Sequence, residues 1–113
     1  MADINAYVEE LARNAKEASR SLGFASDEAR RAAVRAMAAS LRQRADEVLE
    51  ANAIDMDAAR AAGTSEGLLD RLLLTPERVE GMAAGLDKLA DLPDPVGRVL
   101  DERDISEGVH LRR

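Results

Sequence analysis

The chain has 113 residues, a formal net charge of −6 and no cysteine, which allows one domain or part of one around a small core. The lack of cysteine excludes disulfides, thiolate metal sites and a cysteine nucleophile within these residues, and the acidic balance argues against nucleic acid, which requires a basic face. No apolar run approaches the about 20 residues that span a membrane, and the N-terminus lacks the apolar centre of a signal peptide. We therefore expect a cytoplasmic protein that binds neither nucleic acid nor membrane.

The first predicted element is a helix that begins after Asp3, a residue suited to the N-cap position. Apolar residues then recur at spacings of three and four, which indicates one continuous helical face. This face comprises Ile4, Val8, Leu11, Ala15, Ala18 and Leu22. We predict that Gly23 ends the helix at its C′ position.

Two helices in series are predicted between Ser26 and Gly63, because this span is long for a single globular helix. Ser26 suits the N-cap, and a bend is expected near Arg44 to Asp46. The apolar stripe of the first of these helices, continued across the bend, comprises Val34, Met37, Leu41, Ala45 and Val48, with Ala33 and Ala38 beside it.

A leucine-rich short helix follows, and after it an amphipathic helix from Pro76 to Leu92. Thr75 can accept a hydrogen bond at the N-cap, and Pro76 suits the first helical position because its missing N–H would be unpaired there. The apolar stripe of this helix comprises Val79, Met82, Leu86 and Leu89, with Ala83 and Ala90 alongside. Pro93 and Pro95 stop the helix.

Beyond Gly97 the sequence alternates weakly, which is typical of a β-hairpin or of two strands joined by a loop. The predicted strands are residues 98–102 and 109–113, around a loop at 105–108. The predicted fold is therefore mainly α. Residues 1–96 form a helical region of four or five helices, and residues 97–113 form an extended segment.

The stretch LLDRLLLTPERV, followed by a helix and then by LPDPVGRVL, resembles the N-terminal part of gamma-glutamyl phosphate reductases, also called glutamate-5-semialdehyde dehydrogenases. The resemblance continues upstream through AKEASR at 15–20 and ANAIDM at 51–56, where the family usually has ANAKDL. It covers nearly the whole chain, and the pairing of DRLLLTPER with LPDPVG is specific. This family is the proline-biosynthesis branch of the aldehyde dehydrogenase superfamily.

The resemblance implies the helical N-terminal part of an α/β cofactor domain, followed by the start of a bridging, oligomerisation-type hairpin. Members of the family reduce gamma-glutamyl phosphate to glutamate 5-semialdehyde with NADPH, through a cysteine that forms a thioester. The catalytic cysteine, an Arg-Pro-Asn segment and the cofactor-binding sheet all lie downstream of the matched region. We therefore assign no catalytic, cofactor-binding or metal-binding residue here, and we expect the 113-residue chain alone to be inactive and to bind no NADP(H).

Two other functions are open to the sequence. The chain could be a free-standing helical protein-interaction module without catalytic activity. It also contains Gly63-Thr64-Ser65-Glu66-Gly67, which matches the G-x-S-x-G nucleophile motif of serine hydrolases, with His110 downstream. That motif requires a strand before the serine. The residues before Ser65 are predicted to be helical, so we interpret Ser65 as an N-cap between two helices.

Three weaker signals have structural interpretations. Gly81 and Gly85 form a G-x-x-x-G pair, which we expect to pack closely against another part of the protein, since the charged helix cannot lie in a membrane. His110, the only histidine, is expected to face solvent or a neighbouring subunit because no metal-ligand spacing surrounds it. Arg112 and Arg113 are interpreted as a strand end and not as an anion site.

The expected partner is a second copy of the chain. If the resemblance holds, the first and last helices are shaped to cover a parallel sheet that these residues do not include. Their apolar stripes would then face water over more area than a monomer usually exposes. The last strand would also carry unpaired backbone groups. We therefore predict a homo-oligomer.

Overall fold

The computed structural model describes residues 3–113 and contains five α-helices followed by a two-stranded antiparallel sheet. The helices are α1 (Ile4–Leu22), α2 (Asp27–Gln43), α3 (Ala45–Ala61), α4 (Glu66–Leu72) and α5 (Pro76–Ala90), and the strands are β1 (Glu102–Ser106) and β2 (Val109–Arg112). The predicted fold class is confirmed. The division into regions 1–96 and 97–113 stays a prediction, and residues 1 and 2 lie outside the described residues.

Side-chain caps fix the starts of three helices where the sequence predicts them. Asp3 Oδ1 accepts a hydrogen bond from the Asn5 amide at 3.0 Å. Ser26 Oγ accepts from the Ala29 amide, and Thr75 Oγ1 from the Arg78 amide, each at 3.1 Å. Each bond satisfies an amide in the first turn that has no partner within its own helix.

The helix ends follow two different patterns. Gly63 lies one residue beyond Ala62, the C-cap of α3, with a φ of 76°, a left-handed conformation that favours glycine. Gly23 does not occupy the predicted C′ position, since it is itself the C-cap with a right-handed φ of −59°. Its amide donates to the Ser19 carbonyl at 3.0 Å, so an ordinary helical turn closes α1. Arg44 separates α2 from α3, which confirms two helices in series.

Two packing units form the small core. In the first, α2 packs against α5; in the second, α3 packs against α4, with further contacts from α3 to α2 and α5. The apolar residues that are almost fully buried are Ala38, Met56, Leu69, Val79, Ala83 and Ala90. Because four of these six are Ala or Val, the helices approach closely and the core holds few large side chains.

The predicted apolar stripes are wider than the faces that the chain covers. On α5, Val79, Ala83 and Ala90 are buried, whereas Met82 and Leu89 of the same predicted stripe keep 49% and 54% of their surface exposed. Met37 on α2 is likewise exposed. On α2 and α5 the chain therefore covers only part of each stripe.

The C-terminal residues form a hairpin, but its first strand was predicted too early. β1 begins at Glu102 rather than at residue 98, and it includes Ile105 and Ser106, which were assigned to the loop. The turn is shorter than predicted because Gly108, with a φ of 77°, reverses the chain directly before Val109. A bulge between Asp104 and Ser106 absorbs the extra residue.

The described chain is strongly elongated. Its extents are 71 × 39 × 27 Å and its radius of gyration is 21.4 Å, whereas a compact domain of this length has a radius of about 13 Å. Its accessible surface is 9378 Å², which is about 3,300 Å² more than a compact monomer of this mass exposes. The excess arises because α1 and the hairpin contact none of the other described elements.

Candidate functional site

The contact between α2 and α5 is held by an arginine that spans two turns of the facing helix. Arg42 Nη2 lies 2.8 Å from Glu80 Oε1 and 2.8 Å from Asp87 Oδ2, and Arg42 Nε lies 3.0 Å from Glu80 Oε2. The hydrogen bonds that Arg42 donates to Glu80, and then to Asp87, raise the pKa of Arg42, and the bond that Glu80 accepts lowers the pKa of Glu80. Because these groups are partly solvated, the cluster aligns the helices more than it stabilises them.

Three further arginines of α2 hold the end of α5 and its proline-containing exit. Arg30 Nη2 donates to Asp94 Oδ1 at 2.9 Å, and Arg35 Nη2 donates to Asp91 Oδ1 at 3.0 Å. Arg31 donates to the Ala90 carbonyl and to its own-helix partner Asp27. The contacts of Arg30 and Arg31 border an open groove of about 380 Å³. Since each guanidinium already contacts a carboxylate or carbonyl, the groove is not built to bind an anion.

A buried asparagine fastens α3 to the segment that follows α4. Asn52 is only 7% exposed. Its Nδ2 donates to the Leu72 carbonyl at 2.8 Å, and its Oδ1 accepts from the Leu74 amide at 2.8 Å. This pair of bonds satisfies backbone groups that the end of α4 leaves free. The sequence shows Asn52 only as part of ANAIDM, and no periodicity reveals this role.

Arg78, in the first turn of α5, caps the preceding helix. Its Nη1 donates to the Leu73 carbonyl at 2.7 Å and also to the Asp70 carbonyl. Its Nη2 donates to Asp70 Oδ1 at 2.9 Å. A cation at a helix C-terminus complements the helix dipole. Arg78 therefore orients α5 against α4, a role that the predicted N-cap of α5 does not reveal.

The residues of the serine hydrolase motif are not assembled into a nucleophile and base. Ser65 is the N-cap of α4 and follows the α3 helix rather than a strand, as the N-cap interpretation predicts, although its side chain makes no capping hydrogen bond. His110 lies on β2, and both of its ring nitrogens contact carboxylates of β1. Among residues 3–113, no hydrogen bond joins Ser65 to His110. The arrangement gives Ser65 no general base.

The prediction that Gly81 and Gly85 mediate close packing is wrong for the described part of the chain. Both glycines lie on an exposed face of α5, and a Cβ at either position would meet no atom within 4 Å. The buried side of α5 is formed by Val79, Ala83 and Ala90 instead. Small residues permit close approach, but which helix face is covered depends on the tertiary contacts.

The residues described by the structure do not match the needs of a dinucleotide cofactor. Such a cofactor is held by a glycine-rich turn between a strand and a helix. Within residues 3–113 both strands follow the last helix. The same residues contain no group of three or more His, Asp or Glu side chains that could hold a metal ion, and none of their helices has the length and apolarity to span a membrane.

The apolar face of α1 has no partner among the described elements. Ile4, Val8 and Leu11 retain 71%, 54% and 51% of their surface exposed. No residue of α1 is buried, and α1 contacts no other element in the described range. A soluble helix of this amphipathic pattern normally buries such a face. The face is therefore the principal candidate surface of the chain.

Two solved structures contain this fold, and both are reductases. One, from Thermotoga maritima, matches with a TM-score of 0.85 and 35% identity over 91% of this chain and 25% of that chain. The other, from Saccharomyces cerevisiae, has a TM-score of 0.84 and 34% identity over 91% of this chain and 26% of that chain. The chain thus has the fold of the helical segment of these two reductases. Both structures are of gamma-glutamyl phosphate reductase.

Sequence comparison leads to the same enzyme. The gamma-glutamyl phosphate reductase of Gluconobacter oxydans (strain 621H) is 47% identical over 113 residues, which are 100% of this chain and 26% of the relative. No protein-family model matches the chain. The predicted resemblance to the N-terminal segment of gamma-glutamyl phosphate reductase is confirmed, and the chain spans about a quarter of the length of the relatives it matches.

Proposed function

We propose that this chain supplies the N-terminal helical portion of an NADPH-dependent reductase that converts gamma-glutamyl phosphate to glutamate 5-semialdehyde in proline biosynthesis. The observation that carries the proposal is the 47% identity along the whole chain, together with the shared fold. The enzyme would be cytoplasmic and belong to the aldehyde dehydrogenase superfamily.

In this proposal the chain contributes a framework and no reacting group. It has no cysteine, so a thioester-forming nucleophile must come from another part of the whole enzyme. The bound nicotinamide would supply the hydride. The residues described above position helices: Arg42 aligns α2 with α5, Asn52 and Arg78 fasten α4 between α3 and α5, and the open face of α1 is available to pack on the remainder of the protein.

The isolated chain is proposed to associate with itself. Its excess surface of about 3,300 Å² per chain is enough to supply one partner's half of an obligate interface, which buries about 2,000–5,000 Å² in total over both partners. Sedimentation equilibrium at micromolar concentration and about 0.15 M salt, where surface charges are largely screened, tests this proposal. A homo-oligomer is expected. A monomer with native-like amide protection would favour the free-standing interaction module, in which the exposed α1 face would bind a different protein.

A segment exchange tests the proposed function directly. The matching quarter of the Gluconobacter oxydans enzyme is replaced by this chain, and NADPH oxidation with gamma-glutamyl phosphate is measured. We expect activity within about tenfold of the parent enzyme, a loss of no more than 1.4 kcal/mol in transition-state stabilisation. The same enzyme without the segment should be inactive, and so should the 113-residue chain alone. If the enzyme that carries this chain folds but has no activity, the proposal is contradicted.

A further inference from the structure

The only histidine of the chain lies between two carboxylates on the hairpin. Glu102 and Asp104 are two residues apart on β1, so their side chains leave the same face of the strand. His110 on β2 is the register partner of Asp104. Its Nδ1 lies 2.7 Å from Asp104 Oδ1, and its Nε2 lies 2.8 Å from Glu102 Oε1.

These two distances define the protonation state that the geometry requires. Ionised carboxylates only accept hydrogen bonds, and a neutral imidazole carries a single N–H. A neutral ring would therefore place a nitrogen lone pair against one carboxylate oxygen at hydrogen-bond distance. Only the imidazolium form donates to both Asp104 and Glu102. The arrangement is a cross-strand contact of a cation with two anions.

Few other charged groups face this contact. Arg112 on β2 lies with its Nε 3.8 Å from Glu102 Oε1 and competes for that carboxylate. Arg103 and Asp101, which are 3.8 Å apart, alternate to the opposite face of β1. No helix within residues 3–113 packs against either strand. The charge state of His110 is therefore set within the hairpin itself.

We propose that His110 is a pH-sensitive latch, which holds β2 to β1 while its ring is protonated and releases the strand when the ring loses its proton. An isolated two-stranded hairpin is marginally stable in water. A single cross-strand contact that changes from two donated bonds to one can therefore shift the population of ordered hairpin. The proposal concerns the hairpin alone and does not depend on the proposed reductase function.

The direction of the pH effect follows from the contacts. The hydrogen bond to Asp104, and secondly that to Glu102, raise the pKa of His110 above 6.5, against a smaller opposing effect of desolvation. A histidine whose pKa is raised by folding stabilises the folded form fully below its unfolded pKa, about 6.5. This stabilisation is lost as the pH rises through the folded pKa. The latch therefore opens on the alkaline side.

Proton NMR on the full 113-residue chain tests the latch without ambiguity, since there is one histidine to observe. The ring signal of His110 and the cross-strand nuclear Overhauser effects between β1 and β2 are followed from about pH 5 to pH 9, a range that brackets the ordinary histidine pKa. We expect the ring pKa to exceed the ordinary value, and the cross-strand effects to weaken through the same titration. Cross-strand effects that stay constant while the ring titrates would overturn the proposal.

Four variants separate the latch from a general charge effect. Asp104→Asn and Glu102→Gln each remove one acceptor charge, so each should lower the pKa of His110 toward its ordinary value. Glu107→Gln removes an equal charge from the turn, where it has no ion pair within the described residues, and should leave the pKa unchanged. His110→Gln should make hairpin order independent of pH. Equal pKa shifts in Glu102→Gln and Glu107→Gln, in variants whose cross-strand effects show an ordered hairpin on the acidic side, would overturn the proposal, and the titration of the unmodified chain tests it independently of any variant.

Discussion

Replacing Asn52 by alanine removes two hydrogen bonds from a nearly buried position. The Leu74 amide and the Leu72 carbonyl, each 2.8 Å from the Asn52 side chain, lose their partner. Each bond contributes about 1 kcal/mol, so the free energy of unfolding should fall by about 2 kcal/mol. For a chain of this size, that corresponds to a melting temperature lower by about 8 °C.

Urea unfolding followed by circular dichroism measures this loss, with all proteins at one concentration because self-association would otherwise alter the midpoint. The midpoint of Asn52→Ala should fall by about 1 M, given a slope near 2 kcal/mol per M. Asn14→Ala is the matched control, since Asn14 lies on the exposed α1 helix. Asn52→Asp keeps the acceptor for Leu74 but turns an oxygen toward the Leu72 carbonyl, so it should not restore stability. Equal midpoints for Asn52→Ala and Asn14→Ala would refute the reasoning.

Three further outcomes are expected. Gly85→Ala should raise the free energy of unfolding by about 0.5–1 kcal/mol in the same urea assay, because alanine favours a helix and the added Cβ meets no atom. Gly108→Ala should disorder the hairpin, seen as lost cross-strand nuclear Overhauser effects, because its φ of 77° strains other residues. Arg42→Gln should reduce the free energy of unfolding at pH 7 but not in acid. Because the pKa of Glu80 is lowered in the folded state, its contact with Arg42 stabilises the fold above pH 4.5, and this stabilisation is lost as the pH falls through the folded pKa. Equal effects of Arg42→Gln at both pH values would contradict that assignment.

The helices were predictable from sequence because their signals are local. Asp3, Ser26 and Thr75 cap the first turns that follow them, and a spacing of three and four marks each apolar face. These signals act within a few residues, so they can be identified in the sequence without knowing the fold. The hairpin start was misplaced because the apolar residues Val99 and Leu100 precede β1, while the turn depends on Gly108.

What the sequence did not reveal depends on contacts between distant residues. The Asn52 side chain forms hydrogen bonds with the backbone of residues that lie 20 and 22 positions later in the sequence, and Arg42 bonds to Glu80, which lies 38 positions later. No periodicity encodes such a pairing. The G-x-x-x-G pair failed for the same reason, because which side of α5 is covered is decided by α2. The exposure of the apolar face of α1 was expected only from the resemblance, since periodicity marks the face but does not show what covers it.

Hydrogen–deuterium exchange of α1 tests most directly whether this chain is built as a segment of the reductase. Amide exchange is measured in two proteins. One is the isolated chain, diluted until sedimentation shows single chains. The other is the Gluconobacter oxydans enzyme in which this chain replaces the matching segment. We expect α1 amides to exchange rapidly in the isolated chain and to become strongly protected in the enzyme, whereas α5, already packed on α2, should change much less. Equal protection of α1 in both proteins would show that α1 is not covered by the remainder of the reductase.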